Sequence, residues 1–227
     1  MLKYRMAVLA TALAGVALTA TPSSAADPSY WDQPSPTFDW SGFYVGAHVG
    51  AGGSRVGWEF IPGGTTANHN GSGAFGGIQA GYNMQYDSLV FGAEADISYA
   101  GINGSTPCPN PDFACQSRIN WLGSARLRAG FAFDQVMIYG TGGLGFGNVR
   151  MQTVDLVGAL GTSGETRTRA GWTLGAGAEF AFADGWSLKG EYVYYDLGRA
   201  NYTVFPALEA RARTQIHTGK IGVNFRW

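Results

Sequence analysis

The chain ends in KIGVNFRW, residues Lys220–Trp227, and the reading of these eight residues decides the fold. Ile221, Val223, Phe225 and Trp227 are apolar, while Lys220, Asn224 and Arg226 fall between them. Successive side chains of a strand point to opposite faces, so a period of two describes a strand with one greasy and one polar face. An amphipathic helix would space its apolar residues three and four apart. Working back, the same alternation finds seven more segments. Trp186, Leu188, Tyr192 and Tyr194 alternate with Ser187, Lys189 and Glu191; Trp172, Leu174, Ala176, Ala178, Phe180 and Phe182 alternate with Thr173, Gly175, Gly177 and Glu179. Val136, Ile138, Leu144 and Phe146 share one parity, and Trp121, Ala125, Leu127, Ala129, Phe131 and Phe133 stand against Asn120, Ser124, Arg126 and Arg128. Leu89–Tyr99 sets its apolar residues against Glu94, Asp96 and Ser98; Ile78–Met84 against Gln79, Gly81 and Asn83; Phe43–Ala51 against Tyr44 and His48.

The connectors alternate as well. Asp87-Ser88, Asp134-Gln135 and Asp184-Gly185 are hairpin-length turns, whereas Glu59–Ser72, Gly101–Ser117, Val154–Arg167 and Gly198–Arg213 read as long polar loops. Short turns at one end and long loops at the other are the asymmetry of outer-membrane barrels. A secreted β-sandwich also alternates its faces. Against it, the strands read as longer than the usual ~5–6 residues of globular sheets, and the aromatics gather near strand ends. Phe131, Phe133, Phe180, Phe182, Trp186, Phe225 and Trp227 mark the short-turn end, and Trp58, Trp121 and Trp172 the long-loop end. Two such belts suit a wall crossing two interfaces. Hydrocarbon offers no hydrogen bonds, so a sheet there must close on itself. The expectation is an all-β, eight-stranded, antiparallel up-and-down transmembrane barrel over residues 40–227.

The rest of the chain agrees with export. Lys3 and Arg5 precede the apolar run Met6–Ala20, and small residues up to Ala25 and Ala26 follow, so residues 1–26 read as a secretory signal peptide cleaved after Ala25 or Ala26. Residues 27–39, with Pro28, Pro34 and Pro36, read as a flexible segment on the periplasmic side. The 35 glycines among 227 residues are about twice the usual share. A net charge of −1 without a long basic tract gives no reason to expect nucleic acid.

With the greasy face in lipid, the polar face lines the lumen. It carries Glu94, Asp96, Glu179 and Glu191 against Arg126, Arg128, Lys189, Lys220 and Arg226, paired on neighbouring strands three with four and seven with eight. Eight strands enclose a space that side chains fill, so these charges read as a salt-bridge plug that holds the barrel's shape. A narrow conductive path, making the protein a small porin-like channel for ions or solutes, is the alternative. Binding of a surface ligand or host factor through the long loops is another.

The opening Phe38-Asp39-Trp40-Ser41-Gly42-Phe43-Tyr44-Val45-Gly46 and the closing Lys220–Trp227 together resemble the small outer-membrane immunogenic proteins of Gram-negative bacteria, a porin-like family related to the OmpA-type eight-stranded barrel. The resemblance covers essentially the whole mature chain. It implies an abundant monomeric surface or structural protein of the outer membrane, in contact with membrane lipid and lipopolysaccharide. It also implies that Ile221, Val223, Phe225 and Trp227 serve as the signal read by the barrel-assembly machinery, with Trp in place of the commoner terminal Phe. The chain stops at its last strand, so no counterpart of OmpA's soluble peptidoglycan-binding domain is expected.

The remaining motifs carry little chemistry. Gly140, Gly142 and Gly145 in YGTGGLGFG spell G-x-G-x-x-G, but a dinucleotide fingerprint must open a helix, and β-compatible residues follow. The glycines read instead as room for large lumen side chains, with Arg126 and Arg128 as the candidates. Cys108 and Cys115 in an exported chain read as a disulfide stapling the second long loop. Of His48, His69 and His217, His217 faces outward by parity and no serine stands at a catalytic spacing, so neither an enzyme nor a cofactor or metal is expected. Arg167 and Arg169, with Arg211 and Arg213, are candidates for anion contacts at the extracellular rim, where they would meet lipopolysaccharide phosphates.

Overall fold

Each of the three short turns reverses the chain in two residues. Asp87 and Asp134 take φ of 52° and 54°, and Gly185 takes 73°, a left-handed region that Asp and Gly enter most readily. These turns set the hairpins that build the wall. The computed structural model describes residues 38–61, 66–108, 112–157, 161–205 and 208–227. Eight strands follow in order: β1 (Gly42–Ile61), β2 (Thr66–Tyr86), β3 (Leu89–Pro107), β4 (Phe113–Phe133), β5 (Val136–Asp155), β6 (Thr162–Ala183), β7 (Trp186–Phe205) and β8 (Leu208–Arg226). Each pairs antiparallel with the next, and β8 pairs back onto β1 to close the barrel.

The register shows how the wall is staggered. Phe43 pairs with Tyr82, then in turn Ala93, Leu127, Gly142, Leu174, Tyr194 and His217 follow, and His217 pairs with Gly53. One circuit returns ten residues above its start on β1. A stagger of that size tilts eight strands by about 40° and leaves an interior that side chains fill. Alternation then sorts the residues. Leu127 is 72% exposed on the outer face, while its neighbours Arg126 and Arg128 are 3% exposed inside. On the outer wall Tyr99, Trp121, Phe146, Trp172 and Tyr194 form an upper aromatic ring, with the Trp172 and Tyr194 rings 5.2 Å apart. Phe43, Tyr82, Phe91, Phe131, Phe180, Trp186 and Phe225 form a lower one.

Three expectations change. First, the four long loops are mostly paired strand: β1 and β2 are separated only by residues 62–65, and β7 and β8 only by 206–207. Strands of 19–22 residues outrun the span a membrane requires. Their polar upper parts, rich in Ser, Thr, Asn and Gly, pass for loop, yet an antiparallel ladder satisfies its own backbone and tolerates water on its face. Second, residues 1–37, which hold the expected signal peptide and most of the segment 27–39, lie outside the described residues, as do the side chains of Trp58 and His69. Phe38 and Asp39 are described and held in place. Phe38 N donates to Asp134 Oδ1 at 3.3 Å, Ser41 N donates to Asp39 Oδ1 at 2.8 Å, and the Phe38 ring packs on Trp40 at 4.8 Å.

Third, among the glycines of β5 only Gly143 lies against a β4 arginine, as the register partner of Arg126 with a Cβ there 2.8 Å from Arg126 Cα, and the others make room for different neighbours. Gly140 and Gly142 share the outward parity, and the inward Gly145 and Gly147 face Tyr195 and Leu197 rather than the β4 arginines. A Cβ on Gly145 would stand 2.8 Å from the Tyr195 ring, and one on Gly147 2.8 Å from Leu197. At Gly140 the nearest atom is the Gly175 carbonyl oxygen at 4.0 Å. Gly145→Val is therefore expected to cost about 1–3 kcal/mol by overpacking, read as a lower denaturation midpoint in detergent. Gly140→Val, facing lipid, should leave that midpoint unchanged.

Candidate functional site

The interior is built in three tiers. At the periplasmic floor Trp40, fully buried, packs with Val90, Ala132, Met137, Tyr139 and Ala181. Its backbone N donates to Gln85 Oε1 at 2.7 Å and its indole Nε1 to the Asp134 carbonyl at 3.0 Å, so the strap ahead of β1 is pinned across the barrel mouth. In the upper part Val56, Phe75, Ile102, Ile119, Leu122, Val149, Met151, Tyr195, Leu197 and Ile216 form a second apolar cluster. Between the two lie the charges.

Four carboxylates face five cations in this middle tier, and the contacts cross the lumen as well as neighbouring strands. Arg126 Nη2 on β4 lies 2.6 Å from Glu94 Oε1, 3.1 Å from Asp96 Oδ1 on β3 and 3.1 Å from Glu191 Oε2 on β7. Lys189 Nζ reaches from β7 to both oxygens of Glu94, at 2.6 and 2.7 Å. Arg128 Nη2 donates to Glu179 Oε2 at 2.9 Å, and Lys220 Nζ on β8 stands 3.0 Å from Glu191 Oε2. Neutral groups complete the web. Arg128 Nη1 donates to the Tyr44 hydroxyl, which donates to Glu94 Oε2, both at 2.8 Å. Tyr139 O–H donates to Glu191 Oε1 at 3.0 Å, Ser187 O–H to Glu179 Oε1 at 2.6 Å, and Ser124 O–H to Asp96. His48, hydrogen-bonded to Gln79 and Ser98, extends the web to Asn224 through Gln79.

Arg226, the fifth cation, sits at the bottom of the tier. It lies 3.7 Å from Glu179, and its guanidinium carbon is 4.8 Å from the Trp40 ring centre. Arg128 is closer still to an aromatic face, 3.9 Å from the Tyr139 ring centre. Cation–ring contacts of this kind gain in strength when desolvated. Chemically the arrangement holds charge in place: every described carboxylate of the tier is engaged by at least one cation, and an apolar cluster lies above it and another below.

The other expected residues are spread apart. Cys108 and Cys115 form a disulfide at the top of the β3–β4 hairpin, with Cα atoms 5.2 Å apart. Ile221, Val223 and Phe225 line the lipid-facing side of β8 beside the closing seam, and the exposed Trp227 follows directly after its last residue. The four rim arginines do not converge. Arg169 is buried on the inner side of β6 with Nη1 3.4 Å from the Ala212 carbonyl, while Arg211 and Arg213 are exposed on β8. Arg167 pairs with Glu165 at 2.7 Å and Arg213 with Asp196 at 2.6 Å. Opposite parity on separate strands keeps the two pairs apart. His217 is outside the wall, its Nδ1 2.6 Å from the Tyr192 hydroxyl, and His48 is inside. Sequence reasoning placed Tyr44 on the inward face without giving it a role, and missed Trp40 and the two apolar clusters. The one signal for Trp40 was its place at the end of the proline-containing approach to β1.

Comparison with known proteins agrees with this architecture. The outer membrane protein beta-barrel domain matches residues 10–227. The chain is 35% identical over 231 residues to the 31 kDa outer-membrane immunogenic protein of Brucella melitensis, covering 93% of this chain and 96% of that one. It is 30% identical over 192 residues to the 22 kDa outer membrane protein of Rhizobium leguminosarum bv. viciae, covering 85% and 80%. Among solved structures it is similar in fold to the outer membrane protein OprG of Pseudomonas aeruginosa, with a TM-score of 0.50, 10% identity, and coverage of 82% and 97%. A closed eight-stranded wall with a lipid-facing exterior, matched along nearly its whole length, makes this chain a member of the outer membrane protein beta-barrel domain family, resident in the outer membrane of the cell.

Proposed function

We propose that the protein is a sealed, non-catalytic barrel that serves the outer membrane as a structural element and presents its extended hairpins at the cell surface. The observation that carries this reading is the layering of the interior, a cross-linked charged tier between two apolar clusters, with Trp40 fully buried across the floor. A conductive path needs a continuous wetted passage, and apolar constrictions oppose one. The strands that rise past the upper aromatic ring, capped on one hairpin by the disulfide, support contact with extracellular ligands or host surfaces. The relatives' names, an immunogenic and an outer membrane protein, are in keeping with a surface role and name no activity. During insertion, the lipid-facing residues of β8 supply the terminal strand for the barrel-assembly machinery.

Planar-bilayer recording tests the sealed lumen. The expected result for the wild-type protein is no steady current at either polarity. The Arg126→Ala/Arg128→Ala variant, which removes several ties across the lumen, is expected to show more frequent transient openings while keeping its heat-modifiable gel mobility. Steady, ion-selective channels from the wild type would establish the small-porin function instead.

A further inference from the structure

The outer wall carries a basic level that the alternating pattern hides. Above the bulge between Ile119 and Trp121 the parity of β4 reverses, so Arg118 points outward with Gln116, while Ile119 and Ser117 point in. On β5 Arg150 also points outward, and the two arginines are direct register partners. Like charges directly opposite on one face destabilise a sheet. Among the described residues no carboxylate lies within ion-pair distance of either one. They flank a recess of about 440 Å³ that is also lined by Asn103, Ser105, Gln116 and Gln152. The Gln152 amide donates to Gln116 Oε1 at 2.8 Å, bracing its upper edge.

Further round the wall Arg199 on β7 is the register partner of Arg213 on β8, both exposed, but there Asp196 pairs with Arg213 at 2.6 Å. Arg55 on β1 lines an adjoining recess with Asn68, Asn70 and Ser105. Height places this level in the membrane. Arg118 stands three residues above Trp121 on β4, and Arg150 four above Phe146 on β5. At strand rise and barrel tilt this is roughly 7–10 Å above the upper aromatic ring, which itself lies at headgroup level, so the arginines stand in the outer part of the headgroup layer.

We propose that the recess at Arg118 and Arg150 binds a phosphate of lipopolysaccharide in the outer leaflet. Guanidinium forks engage phosphate oxygens in pairs, and an anion between the two arginines turns their repulsion into a clamp. The neighbouring amides add neutral donors. The recess opens sideways towards the leaflet, where an anchored lipid phosphate has a far higher effective concentration than a free anion. The inference rests on the membrane placement alone and is independent of whether the lumen conducts.

The test is native mass spectrometry of the detergent-solubilised full protein with lipid A carrying both phosphates, with dephosphorylated lipid A, and with inorganic phosphate as competitor. Wild type is expected to retain bisphosphorylated lipid A at least tenfold better than the dephosphorylated form, a comparison that needs no variant. R118Q/R150Q is expected to lose that preference, R118K/R150K to keep part of it, and R167Q, on a different strand and parity, to keep it all. In lipid-free detergent R150Q should unfold no more readily than wild type, because it relieves a like-charge pair. Equal retention of the two lipids by wild type, an unchanged preference in R118Q/R150Q, or displacement by inorganic phosphate at millimolar concentration would each overturn the assignment.

Discussion

Glu94→Gln is expected to lower the unfolding free energy by about 3 kcal/mol, read from the urea midpoint of the heat-modifiable gel shift in detergent. The side chain it replaces accepts from Arg126 and Lys189 at 2.6–2.7 Å and from Tyr44 at 2.8 Å, with Arg128 at 3.5 Å, all out of contact with solvent. Removing one member of a buried ionic set leaves the others uncompensated, at a cost of about 3–5 kcal/mol. The lower end applies because Asp96 and Glu191 remain close to Arg126, and Glu191 remains 3.6 Å from Lys189. An exposed bridge contributes no more than about 1 kcal/mol, so a loss below that value would show that water reaches the tier. Adding Lys189→Met to the variant removes the charge left most exposed to desolvation. It should recover part of the loss.

Trp40→Ala is expected to cost about 3–5 kcal/mol, the usual range for emptying a site filled by a large aromatic. Its indole contributes packing against Met137 and Tyr139, a hydrogen bond to the Asp134 carbonyl and the ring face beside Arg226. Trp40→Phe separates these contributions. It keeps most of the packing and the ring but loses the Nε1 donor, so a loss of about 1 kcal/mol is expected. Circular dichroism during thermal unfolding measures both variants without relying on tryptophan emission. Equal midpoints for wild type and Trp40→Ala would mean that the strap does not contribute to the barrel's stability.

The parts of the barrel legible in the sequence are those governed by local alternation. Trp186 through Tyr192 shows its two faces directly, and Asp134-Gln135 shows its turn, because neighbouring residues decide both. The full strand length was not legible. The stretch of β4 above Trp121 loses its alternation at the bulge between Ile119 and Trp121, and Asp196–Arg199 does the same on β7. A single extra residue inverts which face a side chain takes, so paired strand looks like loop and Arg118 looks like an inward residue. The inward parity of Lys189 can be read from its neighbours, but its contact with Glu94 on the far wall cannot. That meeting depends on the ten-residue stagger, a property of the closed ring. Gly145 and Tyr195 belong to the same class, since they meet only after β5, β6 and β7 are laid side by side. Trp40 was illegible for another reason: it lies outside any strand, and only the floor it covers explains its place.

The charged tier also governs the order of assembly. Lys189 and Glu94 are 95 residues apart, and Gln79 and Asn224 are 145 apart. No isolated hairpin can form these contacts, and contacts so distant in sequence form late and slowly. Until β8 meets β1, an incomplete sheet presents bare carboxylates, guanidiniums and ammoniums along one edge-to-edge face. Such a face resists entry into hydrocarbon. Closure hides all of it in one step, so the residues that lock the finished barrel also penalise every unfinished one.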